Sequence, residues 1–288
     1  MKLKTKSFTK FFGLDYYKAK DGSMKEQFPR DILNALHLRW FVLTLLTFRN
    51  PIAIYLHRFV SGDYVLKTKS GVEFTVSNKN SALPIIVGIF HYKEYGELRD
   101  IGNSPTIVDL GANIGAFTLF ALSRIPKARV YAYEPNPDSF RSLTKSVERN
   151  GFTSRATLVN KAVAGTEGVR TLYVTKELSG TDTLYDHRPG NRPVEVSCIT
   201  LERIFEENGI SICDLMKVDV EGAEYEILLS APDHILSRIK KIVMEWHLID
   251  PRYGINDLTS FLRSKGFVIK MDTPFRGILT ATNPRNTA

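Results

Sequence analysis

The chain holds 288 residues, 43% of them hydrophobic, with a formal net charge of +8 and two cysteines. A chain of that length and composition buries a full core without staples. Cys198 and Cys213 sit in strand-like segments with no disulfide or metal-type spacing, which excludes a disulfide scaffold or a zinc module and fits a reducing, cytoplasmic compartment.

The charge is lopsided. Residues 1–60 carry eleven Lys and Arg against four Asp and Glu, which leaves 28 against 27 for the rest of the chain. The positive stripe that a nucleic-acid enzyme places beside its site is therefore missing from the body, which speaks against a nucleic-acid partner. No signal peptide is expected, because the Lys-rich start lacks a suitable apolar run. The apolar piece Phe41 to Phe48 is broken by Arg49-Asn50-Pro51, and neither half reaches the roughly 20 residues that span a bilayer. Two helices over Asp31 to Val60, split at Pro51 and packed on the main body, are expected. The alternative is a basic interfacial anchor, residues 1–60, on an anionic membrane surface.

In chain order, residues 1 to about 30 show no clear periodicity and are expected to be loosely ordered. Tyr64–Lys69 and Val72–Ser77 alternate around Ser70-Gly71 as a hairpin. Pro84–Tyr95 reads as a helix and turn. From Thr106 the pattern becomes strand, helix, strand, helix: a strand through Leu110, a helix after Gly115, a strand at Val130–Tyr133 and a helix over Pro137–Asn150 stopped by Gly151. Ala156–Val163 is expected as the third strand, and Gly168–Thr175 with Val194–Ile199 as an inserted pair. Thr200 caps a helix to Asn208. Leu215–Val220 and Ile239–Trp246 are the fourth and fifth strands, and Phe267–Met271 and Ile278–Thr282 close as a hairpin. The alternation gives an α/β, Rossmann-like, doubly wound fold with a mostly parallel sheet and an antiparallel C-terminal edge. The division expected is a basic extension over 1–100, of two helices and a hairpin, and a catalytic domain over 101–288.

The organising stretch is Thr106-Ile-Val-Asp-Leu-Gly-Ala-Asn-Ile-Gly-Ala-Phe-Thr118. A dinucleotide fingerprint would need a second glycine where Asn113 stands and a third where Ala116 stands, and no Gly-Lys-Ser/Thr follows Gly115. What remains, Asp-x-Gly-x-x-x-Gly, suits a ligand with a zwitterionic tail and no phosphate. At the next strand end Glu134 precedes Pro135, Asn136 and Pro137, and an acid there accepts both hydroxyls of a ribose. Asp109 and the turn would hold an amino-acid end, and S-adenosylmethionine joins those two ends through a sulfonium.

Two further strand ends carry unusual residues: Lys217-Val-Asp219-Val-Glu-Gly and Glu245-Trp-His247. Lys217 and Asp219 share a face, as do Glu245 and His247. They are read either as an ion pair capping the sheet or as a polar floor under the cofactor's methyl. For a hydroxyl acceptor His247 is the natural base, with Glu245 or Asp219 orienting it or replacing it. No metal is expected to be required, although Asp219, Glu245 and His247 are also a conceivable ligand set for a divalent ion.

The blocks Val-Asp-Leu-Gly-Ala-Asn-Ile-Gly-Ala-Phe-Thr, Tyr-Glu-Pro-Asn-Pro, Asn160-Lys-Ala-Val163, Lys-Val-Asp-Val-Glu-Gly-Ala-Glu and Glu-Trp-His together resemble the FkbM family of S-adenosylmethionine-dependent methyltransferases. The resemblance runs from about Thr106 to Thr282. It implies a class I methyltransferase fold with a seven-stranded sheet, and O-methylation of a sugar, glycan or natural-product hydroxyl. It carries cofactor roles to Asp109, Gly111, Ala112, Asn113 and Gly115, to Glu134, Pro135 and Asn136, to Ala162 near the adenine, and to Asp219 near the methyl. The acceptor is expected to be a small molecule or glycan, lipid-linked if the basic front end tethers the enzyme to a membrane. The rival readings are an RNA or tRNA methyltransferase, and a methyltransferase-like scaffold without chemistry.

Overall fold

The computed structural model describes residues 9–11, 14–18, 24–25, 30–56, 62–77, 82–175, 180–185, 191–247, 253–272 and 277–286. Three short antiparallel strands come first: β1 (Thr9–Phe11), β2 (Leu14–Lys18) and β3 (Met24–Lys25). This segment was expected to lack regular structure; its Tyr, Phe and Thr residues favour strands without alternating. Helices α1 (Arg30–Thr47) and α2 (Pro51–Leu56) follow, parted at Pro51 as the sequence indicates. Residues 57–60, expected in the second helix, lie outside the described residues. Next come the hairpin β4 (Asp63–Lys67) and β5 (Glu73–Ser77) and helix α3 (Ala82–Phe90).

The catalytic-type body alternates: β6 (Thr106–Leu110), α4 (Ala116–Arg124), β7 (Arg129–Tyr133), α5 (Pro137–Arg149), β8 (Ala156–Val159), β9 (Ala162–Val163), β10 (Gly168–Val174), β11 (Arg192–Ile199), α6 (Leu201–Glu207), β12 (Leu215–Val218), α7 (Glu224–Ser230), α8 (Asp233–Leu236), β13 (Lys241–Glu245), α9 (Ile255–Ser264), β14 (Val268–Asp272) and β15 (Ile278–Thr282). Seven strands form one sheet in the order β14-β15-β13-β12-β6-β7-β8. The β6, β7, β8, β12 and β13 neighbours run parallel, while β15 is antiparallel to both β13 and β14. This is the class I methyltransferase fold with its reversed C-terminal edge.

The expected third strand is two strands. β8 joins the main sheet and β9 pairs with β11 in a small second sheet of order β10-β11-β9. The break falls at Asn160, whose side-chain Nδ2 donates to the carbonyls of Glu134 and Pro135 at 2.7 and 3.0 Å and so leaves the ladder.

Alternation along the strands fills two cores. Ile107, Val130, Ala132, Leu215 and Val243 pack under α3, α4, α5 and the β4-β5 hairpin, together with Leu43, Phe48 and Ile54 of the first helices. Val108, Leu110, Met216, Val218, Ile242 and Met244 pack under α6 to α9. Both cysteines are buried thiols. Among the described residues no helix is long and apolar enough to cross a membrane. α1 nevertheless leaves Phe41, Val42, Leu45 and Leu46 exposed on the side away from the core.

Candidate functional site

The chain leaves β6 for α4 and leaves β12 for α7, and these two strands are neighbours whose connections run to opposite faces. A crevice opens at such a switch point, beyond the carboxyl ends of the strands. Gly111 and Gly115 make the crook there, with φ of 75° and 88°. A Cβ on Gly111 would stand 1.8 Å from the Asp219 carbonyl oxygen, and one on Gly115 would stand 2.5 Å from Leu143 Cδ1. Both glycines are thus demanded by the turn and by close packing.

Glu134, at the end of β7, reaches into the crook. Its Oε2 accepts the Asn113 amide at 2.7 Å and its Oε1 accepts the Asn136 amide at 2.8 Å. Burial pushes the Glu134 carboxyl up to about 8, against the pull of those two N–H groups. Asn136 in turn caps α5, its Oδ1 accepting the Asp138 amide at 2.9 Å.

Beside the crook lies a charged floor. The Lys217 ammonium donates to the Gly111 carbonyl at 2.6 Å and stands 3.4 Å from Asp109 Oδ1 and 3.5 Å from Asp219 Oδ2. Burial alone would discharge Lys217; the carboxylates of Asp109 and Asp219 outweigh it and hold its pKa above the ordinary lysine value. The Tyr95 hydroxyl donates to Asp219 Oδ2 at 3.0 Å. Behind this floor His247 Nδ1 meets Glu224 Oε1 at 2.9 Å, and its Nε2 lies 3.5 Å from Glu221 Oε2 and 3.9 Å from Glu245 Oε1. Burial opposes a charge on the ring, yet the hydrogen bond to Glu224 and the surrounding carboxylates raise His247 to about 10. Burial, reinforced by the charge of Asp219, lifts Glu245 to about 8.

These groups surround a cavity of about 410 Å³, within the range that holds cofactors. Of the residues singled out from the sequence, Gly111, Ala112, Asn113, Glu134, Pro135, Ala162, Lys217, Asp219 and Glu245 line it. Asp109, Gly115, Asn136 and His247 stand behind that wall and support it. Sequence reasoning missed Tyr95, which pairs with Asp219 across 124 residues, and Glu221 and Glu224, of which the second is fully buried. A strap over residues 180–185, inside the insert between the paired strands β10 and β11, contributes Thr181, Asp182 and Leu184 to the cavity lining. The strap is tied at two adjacent residues near its middle: Asn136 Nδ2 donates to Asp182 Oδ2 at 2.6 Å, and Thr183 Oγ1 donates to the Glu221 carbonyl at 2.5 Å. An acid at the first position of α7 was the visible signal for Glu224.

The cavity fits a cationic, zwitterionic ligand. Three acids, Asp219, Glu221 and Glu245, line one wall, and a cationic group of a ligand beside them would favour their ionised forms.

The family model for the methyltransferase FkbM domain matches residues 109–269, more than half of the chain. The chain belongs to the FkbM methyltransferase family. Among curated relatives, methyltransferase sdnD of Sordaria araneosa is 27% identical over 226 residues, covering 66% of this chain and 86% of its own. The 31-O-demethyl-FK506 methyltransferase FkbM of Streptomyces tacrolimicus is 30% identical over 216 residues, 65% of this chain and 81% of its own. The hexuronic acid methyltransferase AglP of Haloferax volcanii is 26% identical over 167 residues, 57% of this chain and 64% of its own. A crystal structure of methyltransferase FkbM from Methylobacillus flagellatus KT overlaps 70% of this chain and 53% of its own, at 17% identity and a TM-score of 0.44. The FkbM segment begins at Asp109 itself, so the cavity wall that α3, Tyr92 and Tyr95 supply lies outside it.

Proposed function

We propose that this FkbM-family methyltransferase moves a methyl group from S-adenosylmethionine to a hydroxyl oxygen of a sugar, glycan or natural product. The observation that carries the reading is the cradle itself: a glycine crook, a buried acid held by Asn113 and Asn136, and a wall lined by the acids Asp219, Glu221 and Glu245. Glu134 would take the ribose, the main chain at Gly111 to Asn113 with Asp109 beneath it the amino-acid end, and Ala162 the adenine edge. When bound, the cofactor supplies a sulfonium methyl that is already activated, so the chain's own task is alignment and proton removal.

For the proton, Glu245 faces the cavity with a value near working pH, whereas His247 stands behind it and carries a charge. Glu245 is therefore the better base. Asp219, Tyr95 and Lys217 hold the floor on which the acceptor rests. The names of AglP and FkbM, one acting on a hexuronic acid and one on a 31-O position, support an oxygen acceptor. Incubation with labelled S-adenosylmethionine and a panel of glycans, lipid-linked sugars and polyketides, read by product mass spectrometry, tests the reading. Calorimetry showing no binding of S-adenosylmethionine or S-adenosylhomocysteine overturns it.

A second reading draws on Asp219, Glu245 and His247, whose ligand atoms lie within 4.8 Å of one another. A divalent ion there would lower the pKa of a bound hydroxyl. Full turnover in EDTA removes that reading; loss of turnover with cofactor binding intact favours it.

The place of action is proposed as the cytoplasm, peripheral to a membrane. The basic balance of residues 1–60 and the exposed apolar side of α1 support a membrane-peripheral placement, since Arg39, two residues before Phe41, lines the cavity. Such a placement would present a lipid-linked acceptor directly to the site. Liposome flotation unchanged by deleting residues 1–60 overturns it.

A further inference from the structure

Among the described residues that line the cavity two are basic, Lys217 and Arg39, and their surroundings differ. Lys217 is taken up by the protein itself: its ammonium donates to the Gly111 carbonyl at 2.6 Å and stands 3.4 Å from Asp109 Oδ1 and 3.5 Å from Asp219 Oδ2. Arg39, on α1, is exposed, and its Nη2 donates to the Tyr92 hydroxyl at 3.1 Å. Among the described residues no carboxylate forms an ion pair with it, although Asp219, Glu221 and Glu245 line the same cavity. A guanidinium carries five N–H donors, and one neutral phenol leaves most of them for whatever enters. The Tyr92 bond spans 53 residues and joins α1 to the turn after α3, so the side chain is already aimed before a ligand arrives. Ile85, Ile89 and the Tyr92 ring make the rest of this wall apolar and aromatic, and the FkbM segment does not include it. The cofactor, in the reading above, has its carboxylate on the main chain at Gly111 to Asn113. An oxyanion at Arg39 therefore belongs to the other substrate.

We propose that Arg39, aimed by Tyr92, is a specificity-determining residue that binds an anionic group of the acceptor, a carboxylate or a phosphate ester. The inference rests on the methyl-transfer reading above and deepens it, since it makes the acceptor an acidic molecule. A planar guanidinium meets two oxygens of either oxyanion at once, which a point charge does not. In open water such a pair is worth little. In a cleft that the acceptor itself closes to water, the same pair is screened less and gains strength. In this role Arg39 moves no proton and meets no reacting atom, so its effect falls on binding and not on the transfer.

The test uses the full chain with Arg39→Gln, Arg39→Lys and Tyr92→Phe. Protein saturated with S-adenosylhomocysteine is titrated, with NMR detection, with methyl glucuronide, glucose 1-phosphate and the neutral methyl glucoside. At least one of the two anions is expected to bind about fivefold or more tighter than the glucoside, and the one that does names the source of the charge. Arg39→Gln is expected to weaken that anion about fivefold to thirtyfold and the glucoside by less than about threefold. Arg39→Lys and Tyr92→Phe, which keep the charge but lose the fork or its aim, are expected to fall between. In turnover of an anionic acceptor, Arg39→Gln is expected to raise KM by the same factor and to leave kcat within about threefold. Anions that bind no better than the glucoside, or an Arg39→Gln that weakens all three alike, overturn the proposal. A Kd for S-adenosylmethionine that rises about tenfold in Arg39→Gln with anion binding unchanged gives the guanidinium to the cofactor, and also overturns it. If Arg39→Gln lowers recovery on phosphatidylglycerol vesicles and leaves both soluble anions bound as before, the guanidinium serves a lipid surface and the proposal falls. A wild type that binds the anions through Arg39 and methylates nothing overturns the methyl-transfer reading instead, so the two failures are told apart.

Discussion

The carboxylate of Glu134, at the end of the second strand of the sheet's parallel core, closes on the Asn113 amide in the crook after the first, at 2.7 Å. One side chain thereby sets the shape of the turn and the acid end of the cavity together. Glu134→Ala is expected to weaken S-adenosylmethionine binding by about tenfold to a hundredfold, the worth of about two hydrogen bonds to the ribose. Isothermal calorimetry measures it, and an unchanged Kd would remove Glu134 from the site.

Gly111→Ala forces a methyl group to within 1.8 Å of the Asp219 carbonyl oxygen at a φ of 75°. The main chain must move, since a carbonyl of a central loop has no rotamer to escape to. A loss of at least about 2 kcal/mol is expected, seen as a fall of about 5 °C or more in Tm. Gly102→Ala, at φ 87° with nothing within 4 Å, carries only the backbone strain and is expected to fall by less.

The proton acceptor gives the reaction a pH signature. Burial and Asp219 lift Glu245 to about 8. Its carboxyl is protonated and inert below that value and competent above it, so kcat is expected to rise with pH and level off above about 8. In Glu245→Gln this limb should vanish along with most of the rate, a loss of about a hundredfold or more. A wild-type profile flat between pH 6 and 9 would assign the proton to another group.

Asp182 ties the strap to the helix cap at Asn136 and to Thr175, whose amide donates to its Oδ1 at 2.8 Å. Asp182→Ala is expected to loosen cofactor binding about fivefold to tenfold with little change in Tm, the worth of one or two net hydrogen bonds. Parallel calorimetry and thermal melts check it; a Tm loss without a change in Kd would make the tie purely structural.

Much of this was legible in the sequence, because the features concerned are local. The apolar runs ending at Leu110, Tyr133 and Val218 announce strands, and the glycines and acids that follow them mark the side of the sheet that opens. Glu134 could be found because the next strand end is a fixed distance along a βαβ unit. Contacts made by folding left no such mark. Tyr95 meets Asp219 across 124 residues and Glu224 meets His247 across 23, and no period or spacing encodes either. The side of the wall on which His247 stands was equally hidden, because alternation assigns a face of the strand but not what fills the space before it. The split at Asn160 was missed because an asparagine inside an apolar run looks like part of a strand until its amide finds the carbonyls of a neighbouring turn.

The strap hangs from the β10-β11 ribbon, which shares no rung with the seven-stranded sheet. Residues can therefore be gained or lost between Thr175 and Asn191 without shifting any strand that carries Asp109, Lys217 or Glu245. The ceiling over the substrate is replaceable while the hearth beneath it stays built in, which lets descendants of one such chain change what they modify and keep how they do it.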